Sequence, residues 1–262
     1  MAKKGVRSMK LSTVVVLREG FEEKLETVKK LGFDAVEPVS PPDWTPKKAE
    51  ALARTIAGAG LEVSSVMGGI GWKKPLTAPT AGARKKNLDL HMKLVECVKA
   101  AGTDSLLMLP GIVTEKAAYD DVYKWGVQAN RKLCRHAEKV GVKLCYELVW
   151  SKFLYSPLEF RRYRRDIGSP AAKFYFDMAN MVDFGYPLQW LRIMGPYVWR
   201  VHFKDFRRSD RKWPLPGEGD AGVEDVAGAL KRMGYSKYVT AECGEDPEVL
   251  KKVIAKMREL FR

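Results

Sequence analysis

VWRVHFKDF, residues 198–206, reads as a strand with a single histidine on it, and what that histidine faces decides the fold. A strand turns alternate side chains to opposite faces. Trp199, Val201 and Phe203 therefore fall on one side, and Arg200, His202 and Lys204 on the other. The apolar side asks for packing behind the strand, and the polar side for something hydrophilic in front. His202 is one of only three histidines in the chain. Alone, a strand histidine is ordinarily just a polar residue on a strand face, so its meaning has to come from the neighbouring strands.

Outward from this stretch, strand and helix signals alternate to both ends of the chain. Strands are predicted over 11–17, 35–37, 62–67, 105–109, 143–148, 173–177, 198–204 and 238–242. Helices are predicted over 21–31, 46–57, 81–101, 115–140, 157–165, 187–194, 223–233 and 247–260. Gly32, Gly102, Gly141, Gly195 and Gly234 stand just after helices, where glycine ends them. Pro46, Pro187 and Pro247 stand at helix starts, where a missing N–H does no harm. Strict alternation requires parallel strands with helical crossovers. Eight such units in 262 residues match a closed (β/α)8 barrel, which runs to about 250 residues. The expected fold is thus α/β, a single (β/α)8 TIM barrel over residues 1–262, with the basic segment 1–10, MAKKGVRSMK, as a poorly ordered extension. A doubly wound open sheet is the alternative, and no GxGxxG or GKS/GKT phosphate loop follows any strand to support it.

Bulk properties narrow the class. No apolar run reaches the length of a membrane span, because STVVVL ends at Arg18 and Glu19. The basic start is not followed by a secretory apolar region. Cys97, Cys134, Cys145 and Cys243 are widely spaced and form no CxxC pair, which fits a reduced, cytoplasmic protein without a zinc finger. The formal charge of +14 admits nucleic acid, an anionic substrate or the Lys/Arg-rich surface of a heat-adapted protein. Its spread along the whole chain favours the last two.

The barrel reading gives His202 its neighbours. In VKLCYELV, residues 142–149, Leu144, Tyr146 and Leu148 face the helices while Cys145 and Glu147 point inward. In KFYFD, residues 173–177, Phe174 and Phe176 face out and Asp177 faces in. In YVTAEC, residues 238–243, Val239 and Ala241 face out and Glu242 faces in. Four consecutive strands thus bring Glu147, Asp177, His202 and Glu242 to the C-terminal rim, where barrels of this kind keep their chemistry. Three carboxylates crowded there repel one another unless something positive holds them. A divalent cation meets that need. One imidazole with three carboxylates and no thiolate suits Mn2+ first, then Mg2+, Co2+ or Zn2+. The competing account leaves them as solvated rim carboxylates paired with Arg200 and Lys204.

GFDAVEPV, CYELVW, FYFDMAN, VHFKDF, GEGD and YVTAE, in that order, together resemble the sugar phosphate isomerase/epimerase superfamily, the xylose isomerase-like barrels. Within it the chain is most similar to the ketose 3-epimerases and the L-ribulose-5-phosphate or L-xylulose-5-phosphate 3-epimerases. The resemblance implies one metal ion held by Glu147, Asp177, His202 and Glu242, the four that parity selects, with Glu147 and Glu242 as the acid/base pair. The activity it implies is metal-dependent C3 epimerisation of a ketose or ketose phosphate through an enediolate. An aldose–ketose or hydroxypyruvate-type isomerase would use the same parts. One departure concerns the substrate: many free-ketose epimerases have histidine three residues after the metal aspartate, where this chain has Asn180.

The expected substrate contacts are Asn180, Lys204, Arg207, Arg208, Glu37, Trp72 and Trp150. Glu37 ends the second strand facing inward, where it can bind hydroxyls or pair with a rim lysine. The loops of Trp72 and of Trp150 can cover the site and exclude water, or simply pack over the barrel top. KDFRRSDRK, residues 204–212, follows the seventh strand, where barrels often hold phosphate, and equally reads as a solvated charged face. The expected partner is a small sugar or sugar phosphate, with no nucleic acid and no membrane, on a homodimer or homotetramer. A DNA-repair nuclease like endonuclease IV is the alternative from another class. It needs a three-metal cluster with more histidines than His91 and His136 supply. A non-catalytic sugar-binding barrel is the third possibility.

Overall fold

The structure, a computed structural model, describes residues 8–262. Nine parallel strands form one sheet: β1 (Lys10–Val15), β2 (Ala35–Pro38), β3 (Glu62–Val63), β4 (Val66–Met67), β5 (Ser105–Met108), β6 (Lys143–Glu147), β7 (Ala172–Asp177), β8 (Val198–Phe203) and β9 (Tyr238–Ala241). Their order in the sheet is β3-β2-β1-β9-β8-β7-β6-β5-β4. β3 and β4 are the two halves of the single third strand predicted over 62–67. β3 pairs with β2, and β4 pairs with β5. A bridge between Val39 and Met67 closes the ring. The (β/α)8 alternation is therefore present with its third strand broken at Ser64 and Ser65. The break has a tertiary cause: the Ser64 carbonyl accepts from Arg200 Nε at 2.6 Å and from Thr103 Oγ1 at 3.2 Å, so it is drawn out of the ladder.

The outer helices are α1 (Phe21–Leu31), α2 (Pro46–Gly58), α3 (Ala81–Ala100), α4 (Tyr119–Val140), α5 (Pro157–Ile167), α7 (Pro187–Met194), α8 (Val223–Arg232) and α9 (Pro247–Phe261), with a short extra turn of helix, α6 (Asn180–Asp183), after β7. Their starts follow the sequence signals. Thr45 caps α2 by accepting from Lys48 N, and Asp246 caps α9 by accepting from Glu248 N and Val249 N, each ahead of a proline. α4 begins four residues later than predicted, because Thr114 and Ala117 exchange backbone hydrogen bonds in a tight turn. Gly195 does not end α7 in a left-handed conformation; its φ is −47° and it opens a 3-10 turn, Gly195–Tyr197.

Side chains alternate between two layers. Leu144, Tyr146, Phe174, Phe176, Val201 and Phe203 pack outward in the main core beneath the helices, while Leu107, Cys145 and Tyr175 fill the barrel. The predicted parity fails at Trp199. β8 carries an extra residue there, since Phe174 pairs with Val198 and Tyr175 with Arg200. This bulge leaves Val198 in the outer core and turns Trp199 onto the inner cluster. At the N-terminal end of the predicted extension, residues 1–7 lie outside the described residues. The prediction is too long at its other end: Met9 is buried in the core and Lys10 opens β1. Among the described residues no helix is long and apolar enough to cross a membrane.

Candidate metal centre and barrel mouth

Glu147 and Asp177 are the last residues of β6 and β7, His202 is next to last in β8, and Glu242 follows β9, its N–H donating to the Phe203 carbonyl at 3.2 Å. Strand parity aims all four at one point, and one ligand atom from each lies within 4.8 Å of the others. Asp177 and His202 are fully buried, Glu147 is nearly so, and the Glu242 side chain is 30% exposed. His202 Nδ1 stands 3.1 Å from Glu147 Oε1, 3.2 Å from Glu242 Oε2 and 3.6 Å from Asp177 Oδ2.

The opposite ring nitrogen fixes what Nδ1 offers. His202 Nε2 lies 3.1 Å from Glu37 Oε2, and Tyr175 Oη donates to the same oxygen at 2.6 Å. A carboxylate on Nε2 holds a proton there and makes Nδ1 the nitrogen left to serve a metal, the usual outer support of a ligating histidine. Glu37 is therefore not a rim residue. It is fully buried against His202 Nε2 and Tyr175 Oη and does not line the cavity at the mouth.

Lys204 supplies the positive charge on the other side. Its Nζ is 2.6 Å from Glu242 Oε2 and 2.9 Å from Asp177 Oδ2. Asp177 Oδ1 accepts from Asn180 N at 2.7 Å, and Asn180 Nδ2 donates to Glu147 Oε1 at 3.3 Å. Asp177 Oδ2, by contrast, is buried with no hydrogen bond of good geometry. Ion-paired with Lys204, this oxygen faces His202 Nδ1 and two more carboxylates, and these donors suit a hard or borderline divalent ion. Arg200 takes no part. Two residues earlier on β8, it bonds Ser64, Trp199 and Asp104 toward the other end of the barrel.

The two glutamates stand in different environments. Burial pushes Glu147 up to about 7, only partly offset by His202. Burial also raises Glu242, but His202 and Lys204 outweigh it and hold it well below the usual carboxylate range. For His202, burial favours the neutral ring, and Tyr175, Glu242 and Glu37 together overcome it and raise its pKa.

Above these groups lies a cavity of about 300 Å3, at the small end of the roughly 300–1,000 Å3 typical of ligand pockets. Glu147, Glu242, Asn180 and Lys204 line it below, and Trp72, Trp150 and Trp213 line its walls. Trp72, on the turn after β4, is 55% exposed. Trp150 and Trp213 pack at 5.2 Å between ring centres, and Lys204 Nζ sits 4.8 Å over Trp213.

The structure does not bring Arg207 and Arg208 to this cavity. Arg207 pairs with Asp210, and Arg208 donates to the Val182 and Gly185 carbonyls, so neither guanidinium lines it. The remaining histidines stay on the helical wall: His91 bonds the Asn87 carbonyl within α3, and His136 pairs with Glu96.

Sequence reasoning missed three contributors. Trp213 had no motif to mark it, and Tyr175 was passed over although it lies in FYFDMAN and strand parity puts it inward. Asp205 could have been found from KDF and GEGD together. Its buried carboxylate accepts from the N–H groups of Phe206, Gly217, Gly219 and Ala221 at 2.8–3.0 Å, folding the 217–221 loop around itself. A Cβ on Gly219 would fall 2.4 Å from Asp205 Oδ1, so this approach requires glycine.

Residues 25–260 match the model of the family described as "Xylose isomerase-like TIM barrel". The chain belongs to that family. Solved structures share the fold. A xylose isomerase domain protein from Planctomyces limnophilus is 23% identical, covering 97% of this chain and 96% of its own, with a TM-score of 0.78. A D-psicose 3-epimerase with D-tagatose from Clostridium cellulolyticum H10 is 17% identical, covering 97% and 100%, with a TM-score of 0.81. A 3-keto-D-glucoside 4-epimerase from E. coli is 20% identical, covering 96% and 99%, with a TM-score of 0.77. No curated protein matches the sequence.

Proposed function

We propose that the protein is a divalent-metal-dependent sugar epimerase or isomerase whose reaction is C3 epimerisation of a ketose. The observation that carries this reading is the convergence of Glu147, Asp177, His202 and Glu242 within 4.8 Å, with both glutamates also lining the cavity. Fold relatives that are named as ketose epimerases support it.

Glu147, Asp177, His202 and Glu242 would hold the ion, with Mn2+ the best match to the donor set. When bound, it withdraws charge from a ketose carbonyl and the neighbouring hydroxyl, easing loss of the C3 proton. Glu147 and Glu242 come from β6 and from the end of β9, on opposite sides of the centre. One takes the C3 proton from one face of the sugar, and the other returns a proton to the opposite face, which inverts the carbon. Asn180 Nδ2 holds Glu147 Oε1 in place, and Lys204 does the same for Glu242 Oε2. Asn180 and Lys204 also line the cavity, where they meet sugar hydroxyls. The three tryptophans shield the reacting carbon from water. Among the described lining residues Lys204 is the one cation, and two carboxylates already engage it. An uncharged sugar therefore fits this mouth better than a phosphate ester.

The test is a panel of ketoses and ketose phosphates, with metal-stripped protein reloaded with Mn2+ and products resolved by stereochemistry. Metal-dependent inversion at C3 of a free ketose is the expected result. Activity that survives exhaustive metal removal would sink this reading.

A further inference from the structure

A second cavity lies on the flank of the barrel, walled by the loop after β2, the turn after β4 and α3. Its volume is about 260 Å3. Its walls are apolar, from Pro41, Trp44, Ile70, Leu90 and Leu94, and its remaining lining includes Lys73, Lys74 and Lys93. All three lysines are exposed, and no carboxylate of the described residues lies within ion-pair distance of any of them. Two come from the turn and one from α3, so separate elements bring like charges to one opening. Like charges gathered without a counter-charge repel one another, and water against apolar walls is poorly bonded. One kind of ligand relieves both.

We infer that this cavity is a binding site for an amphiphilic monoanion, an aliphatic carboxylate whose chain fills the apolar walls and whose head meets the lysines. The site is distinct from the metal centre but shares a partition with its mouth. Gly69 lines both cavities, and Gly68 beside it lines the mouth. A Cβ on Gly68 would come within 2.6 Å of the Leu107 carbonyl oxygen, and one on Gly69 within 2.9 Å of that of Ser40. The partition is thus bare backbone, part of the same turn that carries Trp72 to the mouth. An occupant of the flank cavity therefore bears on the segment that shapes the sugar site.

Calorimetric titration of the intact, metal-loaded protein with octanoate, octanol and acetate tests the site. Octanoate should bind saturably with one site per chain, octanol at least about tenfold more weakly, given the worth of bonds to a charged group, and acetate not measurably. The variant K73Q/K74Q/K93Q changes only exposed side chains and should lose at least about tenfold in octanoate affinity with octanol unchanged. Leu90→Trp should fill the cavity and abolish both, while octanoate binding persists in Trp72→Ala. The inference is overturned if octanoate shows no saturable binding, or if the lysine variant binds it normally. It is also overturned if Leu90→Trp leaves binding intact while Trp72→Ala removes it, which would place octanoate in the mouth. Sedimentation showing that Leu90→Trp splits a dimer would instead assign the cavity to a second copy of the chain.

Discussion

Glu37 and His202 meet inside the barrel although β1 and β9 separate their strands in the sheet, with Glu37 Oε2 3.1 Å from His202 Nε2. Tyr175 clamps the same oxygen from β7. Neither Glu37 nor Tyr175 touches the cavity, yet together they set the tautomer and tilt of the ring that faces the three carboxylates. Glu37→Gln keeps the shape and removes the charge. It should lower Mn2+ affinity by about 10- to 100-fold, the usual effect of removing such support, as read by titration of metal-stripped protein. Unchanged affinity would mean that the ring is held without Glu37.

The anion question turns on Arg207 and Arg208. Each already has partners, Asp210 for one and the Val182 and Gly185 carbonyls for the other. Replacing both with alanine should therefore change KM for a ketose and for its phosphate ester by the same factor. A selective rise for the ester would show that the 204–212 segment rearranges to grip phosphate.

What the sequence disclosed follows from period. Glu147, Asp177, His202 and Glu242 lie at the C-terminal ends of strands whose last residues alternate, so parity aimed them at one rim. Parity is a local rule, and it gave no depth. Glu37 has the right parity but is buried beneath the convergent four and off the cavity, because relative height depends on how strands stagger around the ring. It also failed at Trp199, where one inserted residue reversed the facing of everything before it. The broken third strand was hidden for a similar reason: the Ser64 carbonyl is taken by Arg200, more than a hundred residues away, and no nearby residue announces it.

Asp205 offers a test of how the mouth is built. Four backbone N–H groups converge on its buried carboxylate, so Asp205→Ala strands several donors at once. Lost hydrogen bonds to a charged group cost about 1.5–3 kcal/mol each at most, and water entering the opened loop recovers part of that. A net loss of about 3 kcal/mol in urea unfolding is expected, together with new protease sensitivity between residues 214 and 222. Full stability in the variant would show that the loop holds its shape by packing alone.

His91 links stability to pH away from the candidate metal centre. Buried in α3 against the Asn87 carbonyl, it has its pKa lowered by burial from the ordinary 6.5, with the hydrogen bond opposing. Below about pH 6.5 the unfolded chain takes up a proton there that the folded chain refuses, so stability falls as pH drops toward the lowered folded value. Above that range the residue contributes no pH dependence. His91→Leu should therefore narrow the stability gap between pH 7.5 and pH 5, as read by urea unfolding at the two pH values. An equal gap in both proteins would assign the acid sensitivity to other groups.

The last prediction separates two-base inversion from a role for the glutamates as ligands alone. Glu147 and Glu242 each have an oxygen close to His202 Nδ1, so alanine would confound loss of the ion with loss of the base. Glu→Gln keeps a ligating oxygen and the side-chain volume while removing the proton acceptor. Each variant should retain metal by elemental analysis and lose about 100-fold or more in turnover, as expected when a general acid or base is removed. In deuterated water the variants should then differ by direction. With one glutamate left, the remaining carboxylate can still remove the C3 proton from its own face and return deuterium there. Exchange then outruns inversion for the sugar epimer whose proton lies on that side. The mirror pattern should appear for the other variant with the other epimer. Near-normal inversion in both variants would mean that Glu147 and Glu242 only hold the ion, and that the proton is moved by some other group at the mouth.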